Sequence, residues 1–408
     1  MPSPIITTLE VLRKQFNISL ATLSTETGIG SQRLEEIAAS CSPTPEEEAV
    51  LSRAFRMVLQ PATDLDEPVR LLTLKREFTE LDDKARLRVF QLSQDARNLE
   101  SLRNALSETN SWKLFLNTRD ALNLPRFSAN QEPWQQGEQL AIALRRALNL
   151  GNQPIESMSR LAREHFPGLT VLFGDLGKQG PEGLLLADES RGVTIALNQA
   201  APKNQYLQVR RFNLAHELGH ALVDIGLRVP LAHVTRGTTT SQLAVEQRAN
   251  AFAAYFLCPK QELLNLVDHH QDARRVAEVA VNTYCLPYQT VRTMLRNNAN
   301  LQIPDSGKRA RFDRNRWHTQ EAESDFKNFP LPDVPMEYRS DMARVATESY
   351  LLGLISRQQL ALILGLEPDR DISGLPPYLF GQANPAVLFA ELREILAAEN
   401  MEIQWPAA

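Results

Sequence analysis

Cysteine is scarce. Cys41, Cys258 and Cys285 are the only three in 408 residues, too few for a disulfide framework and in keeping with a reducing cytoplasm. No run of about 18 apolar residues occurs, so no segment reads as a membrane-spanning helix. The opening stretch MPSPIITTLEVLRKQFN lacks the basic start, apolar core and small-residue cleavage site of a secretion leader. Positive charge is not in excess either: 44 Lys and Arg against 49 Asp and Glu give a net charge of −5, so the molecule as a whole is not a polyanion binder. Internal repeats and low-complexity tracts are missing. What remains is ordinary for a soluble chain, with 43% hydrophobic and 23% charged residues. That is enough apolar surface to offset ordering entropy, in more chain than one core usually supports. The expectation is a multidomain cytoplasmic protein with no membrane contact.

Residues 1–60 read as short helices. Leu9, Leu12, Phe16 and Ile18 form an apolar stripe, Ser19 caps a segment ending at Gly28, and Ser31 caps the next. Pro45 opens a helix with Glu46, Glu47 and Glu48 in its first turn, where acids suit the dipole. The stretch SLATLSTETGIGSQRLEEIAAS resembles the helix-turn-helix of the phage-repressor (XRE) class. One reading is DNA binding through the helix from Ser31 to Ser40; the other is a small bundle for dimerisation or partner docking. Charge weighs against the first: residues 1–60 carry five Lys and Arg against seven Glu, few contacts for phosphates. Residues 61–132 are expected to form a helical connector. Residues 133–299 change character, with two amphipathic helices and then short β-type runs, LTVLF, GLLLAD and GVTIALN, separated by glycine turns. The fold class expected is α+β, mostly α, with a small sheet flanked by helical N-terminal and C-terminal domains.

That sheet precedes the most informative segment, RRFNLAHELGHALVD. His216-Glu217-Leu218-Gly219-His220 is an H-E-x-x-H pattern. On a helix, positions four apart differ by about 40° around the axis, so both imidazoles share one face roughly 6 Å apart, as two ligands of one zinc require. Glu217 can then take a proton from a water activated by the metal. Apolar neighbours argue against two ordinary surface histidines, since a metal would supply the charge partner such surroundings lack. A third ligand is needed, and Glu246 in VEQRANAFAAYFLCP is the candidate, on a return helix stopped by Pro259. Asn250, one turn beyond Glu246, is placed to hydrogen-bond a ligand imidazole; Asp224, four after His220, is a second candidate for that task.

RRFNLAHELGHAL followed by EQRANAFAAYFLCP resembles the ImmA/IrrE family of zinc metallopeptidases, over about residues 135–300. The resemblance includes a small helix-turn-helix-like piece, RRVAEVAVNTYCLPYQTVRTMLRNN. It implies a zincin-like domain in which His216, His220 and Glu246 hold Zn2+ and Glu217 is the general base. Cys258 departs from the Met more usual before the proline, and is expected as a small buried hydrophobe rather than a ligand. The resemblance also implies a narrow protein substrate, a helix-turn-helix repressor of stress, mobile-element or phage-defence genes. The rival reading is a DNA-binding or antitoxin-like regulator with a structural metal site.

His233, in the loop between the two motifs, is a candidate oxyanion donor or a plain exposed histidine. Residues 300–332 form a polar basic linker with Lys308, Arg309, Arg311, Arg314 and Arg316 around Phe312 and Trp317. Such interleaving suits DNA or single-stranded nucleic acid as an effector, or simply a solvated linker. Residues 333–408 are expected as a helical C-terminal accessory or regulatory domain.

Overall fold

A computed structural model describes residues 4–57, 71–73, 81–303, Phe312, Trp317 and 341–367, apart from 40, 107–109, 129, 226–239 and 271. Helices dominate it, with one four-stranded sheet. Four N-terminal helices come first: α1 (Pro4–Lys14), α2 (Leu20–Thr27), α3 (Ser31–Ala38) and α4 (Pro45–Ala54). Ser19 caps α2 by accepting from the Thr22 amide, and Thr44 with Glu47 forms a reciprocal capping box on α4. The strand β1 (Leu71–Thr73) follows, then α5 (Asp83–Leu106), α6 (Ser111–Ala121), α7 (Pro133–Ala147) and α8 (Met158–His165). Strands β2 (Leu169–Gly174), β3 (Gly183–Asp188) and β4 (Gly192–Asn198) come next.

The sheet order is β1-β3-β4-β2. β2 runs parallel to β4, with Leu169 opposite Val193, and β3 is antiparallel to β4, with Leu185 opposite Ile195. β3 and β4 are buried along their whole length. Alternate residues explain why: Leu185, Ala187, Val193, Ile195 and Leu197 join one core, while Leu184, Leu186 and Ala196 join another. A strand covered on both faces reads as a continuous apolar run, as LLLA does.

The first core lies under α9 (Leu207–Val223), α10 (Thr240–Leu257), α11 (Lys260–His269), α12 (Ala273–Tyr284) and α13 (Tyr288–Ala299), together with α7 and α8. The second joins α1–α5 to α14 (Asp341–Leu351) and α15 (Arg357–Ile363) across the opposite face of the sheet. Two segments are packed more closely into the fold than their sequence suggests. Residues 61–132 are more than a connector: β1 pairs with β3, and α5 is buried over most of its surface, so its charged residues bond inward. Asp95 pairs with Arg56, Gln91 donates to the Ala54 carbonyl at 2.8 Å, and Asn98 donates to the Arg56 carbonyl at 3.0 Å. Nor is 300–332 wholly a solvated linker. Trp317 is buried, its Nε1 donates to the Asn282 carbonyl at 2.8 Å, and the Arg211 guanidinium lies 4.7 Å over its ring. That indole is not available to stack on a base. The five basic residues around it, and His233, lie outside the described residues. Among the described residues no helix is long and apolar enough to cross a membrane.

Candidate metal centre

α9 is buried around nearly its whole circumference. Leu214, Ala215, Leu218, Ala221 and Leu222 pack in the core beneath the sheet. Its register is pinned at the N-terminal end by polar bonds. Arg211 donates to the carbonyls of Ile155 and Glu156, and Asn213 donates to Asn204 at 2.7 Å. Asn204 in turn donates to the Asn198 carbonyl at the end of β4, at 2.8 Å. A buried amide that satisfies backbone groups on a strand end locks helix to sheet.

α10 packs across α9 and α7 through Phe252, Ala253 and Phe256. Gly219 permits the close approach: a Cβ there would stand 2.7 Å from the Phe252 ring. The contact brings Glu246 over the two histidines. His216 Nε2 and Glu246 Oε2 are 3.3 Å apart, His220 Nε2 and Glu246 Oε1 3.4 Å, and the two Nε2 atoms 3.0 Å. Among the described residues these three form the one group with the donor set and spacing of a metal site. Both imidazoles are fully buried, while the Glu246 side chain is 28% exposed.

The donor set fits zinc. Metal–ligand bonds of about 2.0–2.1 Å in a tetrahedron place ligand atoms roughly 3.3 Å apart. Two imidazole lone pairs directed at each other across so short a gap also require a cation or a proton between them. With no metal bound the site favours protons. Burial pulls the His220 pKa down, yet hydrogen bonds to Asp224 and Glu246 outweigh it and push it up to about 9. Burial likewise raises the Glu246 carboxyl, but His216 and His220 hold it well below the usual carboxylate range. A cation in the cluster takes over the charge that those protons supply.

His220 is oriented by Asp224, whose Oδ2 accepts from Nδ1 at 2.7 Å. That fixes the tautomer with Nε2 directed at the cluster. Asp224 caps α9, and its other oxygen is held by Arg248 of α10, which also donates to Gln136 of α7 at 3.0 Å. Arg248 is absent from the sequence reading, which had no signal to single it out from other helical arginines. Asn250 is not beside an imidazole; it is exposed on α10 and lines a neighbouring cleft. It stands one turn beyond Glu246 and opens into that cleft, and Asp224 does the orienting instead. Glu217 is buried, with its Oε1 against Gly183 at the start of β3; a Cβ on that glycine would lie 2.9 Å from it. Cys258 is fully buried outside the cluster, where burial pushes its thiol up so that it stays neutral.

Residues 167–296 match the Peptidase M78 family model, described as the IrrE N-terminal-like domain. No curated protein and no solved structure matches the chain.

Proposed function

We propose that the chain is a zinc-dependent endopeptidase, a reading supported by the match of residues 167–296 to the IrrE N-terminal-like peptidase family model. Its substrate is proposed as a partner helix-turn-helix repressor, cleaved in the cytoplasm to release stress, mobile-element or defence genes. One observation carries the reading: His216, His220 and Glu246 converge within 4.8 Å, with the buried Glu217 beside the first ligand in sequence and pressed against a strand. His216, His220 and Glu246 would hold the metal. Zinc, when bound, supplies Lewis acidity to a peptide carbonyl and lowers the pKa of water. Glu217 would accept a proton from the attacking water as the carbon–oxygen bond forms, and would return it to the amide nitrogen as the carbon–nitrogen bond breaks. Its setting against Gly183 restricts the rotamers open to that carboxylate, which suits a proton carrier more than a mobile surface acid.

The N-terminal bundle supports a protein partner over DNA. Arg33 is the one cation of α3, and its guanidinium is spent on Glu47 at 2.8 Å, Glu36 at 3.2 Å and the Ser42 carbonyl at 3.2 Å. What α3 then offers outward includes Gln32, Glu35 and Glu36, a poor footprint for phosphates. Two measurements test the proposal. Metal analysis should find about one zinc per chain in wild type and a strong loss in Glu246→Ala. A helix-turn-helix repressor encoded nearby should be cut by zinc-loaded wild type and left intact by Glu217→Gln. A wild-type protein that resists loading with zinc would favour the regulator reading instead.

A further inference from the structure

A cleft of about 780 Å3 lies between α10 and α13, with Trp134 of α7 and Phe212 of α9 also on its wall. It shares α9 and α10 with the candidate metal centre. Phe212 precedes His216 by four residues on α9, and Asn250 follows Glu246 by four on α10. Residues four apart share a helix face one turn away, about 6 Å. The wall therefore begins one turn from two of the three ligand-bearing positions.

The chemistry of this wall is distinctive. Its lining combines apolar Ala251, Ala254 and Met294 with the amides of Gln247, Asn250, Gln289 and Asn297. Among its described residues the one charged group is Lys260, which is paired with Glu138 at 3.0 Å. α12 and α13 come from the stretch that resembles a second helix-turn-helix. Yet Gln289, Thr293 and Asn297, spaced four apart on α13, face this cleft. A neutral wall of this kind does not suit a phosphate backbone. It suits a polypeptide: a carboxamide has both donor and acceptor, the complement of a peptide group. A charged side chain entering it would lose water and find no unpaired opposite charge, which is costly. The volume falls in the range of sites that enclose a ligand rather than a single side chain.

We infer that this cleft is a substrate-binding subsite that takes an uncharged, apolar-rich stretch of polypeptide beside the scissile bond. Amides hold its backbone, and the cleft sets the sequence preference. The inference rests on the peptidase reading of the adjacent centre, and its test separates the two. Full-length, zinc-loaded Glu217→Gln protein is immobilised and equilibrated with a randomised synthetic peptide library, and bound peptides are sequenced. Retained peptides should be depleted of Asp, Glu, Lys and Arg over several consecutive positions and enriched in apolar residues. Adding Gln289→Glu and Asn297→Glu, both at exposed positions, should bring Lys and Arg into the selected sequences. Adding Thr293→Trp, in the middle of the α13 wall, should cut retention at least tenfold with zinc content and melting temperature unchanged. No selection, retention of charged peptides by the parent, or an unshifted profile in the double glutamate variant would overturn the inference. The same library presented to protein with Glu217 intact reads hydrolysis. Selective binding without hydrolysis would sink the peptidase reading and leave the cleft's preference standing.

Discussion

Glu217, Asp224 and Gly183 show how single residues divide the work at the centre. Glu217 is no ligand by geometry, so Glu217→Gln should keep its zinc while peptide hydrolysis falls by about 10²–10⁴, the usual contribution of a positioned acid–base group. Zinc analysis alongside a cleavage assay checks both halves, and loss of metal in the variant would refute the division of roles. Asp224 acts through His220, accepting from its Nδ1. Asp224→Ala is expected to weaken zinc binding about 10–100-fold, read by competition with a chelator. Gly183 leaves space for the Glu217 carboxylate, since a Cβ would stand 2.9 Å from Oε1. Gly183→Ala should therefore lower kcat with metal content intact; an unchanged kcat would mean that the carboxylate has room to move.

At the scale of elements, the centre depends on how closely α9 and α10 approach. The 2.7 Å separation between a Cβ at position 219 and the Phe252 ring makes Gly219 the contact that allows it. Gly219→Ala should push α10 outward, at a cost of about 1–3 kcal/mol for an overpacked core, and weaken zinc binding by carrying Glu246 away. Restoration of both by the added Phe252→Leu change would show the clash to be the cause. In the N-terminal bundle, Glu47 both caps α4 and holds Arg33 of α3. The Arg33 hydrogen bonds, and then the Thr44 amide, pull its pKa from 4.5 down to about 2. A carboxylate depressed in the folded state contributes stability that is full above its unfolded value and is lost as pH falls through the folded one. Melting temperatures measured from pH 5 to pH 2 should fall more steeply in wild type than in Glu47→Gln.

The molecule as a whole is built around a sheet buried on both faces. One core holds the helices of the candidate metal centre, and the other ties α1–α5 to α14 and α15. Residues from both ends of the chain thus share a core. Deleting 300–408 removes Met342, Val345, Leu360 and Ile363 from it, and takes away Trp317 from Arg211. The truncated chain should melt at a lower temperature and expose apolar surface to a dye such as ANS. Trp317→Ala alone should cost about 3–5 kcal/mol as a buried aromatic truncation. An unchanged denaturation midpoint would show that this indole does not clamp α9.

Much of the centre was legible in the sequence because its residues lie at helical spacing. His216 and His220 are four apart on one helix, and Glu246 sits in a second apolar-faced helix that ends at a proline. The strands β2–β4 were legible too, as apolar runs cut by glycine turns. Local periodicity is a property of consecutive residues, so one chain suffices to read it. Contacts between distant segments leave no such trace. That Arg248 would steady Asp224, that Asn250 would turn into a cleft and that Trp317 would be buried on Arg211 depend on which faces meet. The same holds for α5, whose many charged residues look solvated until the elements packed around it bury them. Apolar burial rewards any compatible pairing of faces, so the spacing of residues decided which helices could carry a metal, and only packing decided what surrounds it.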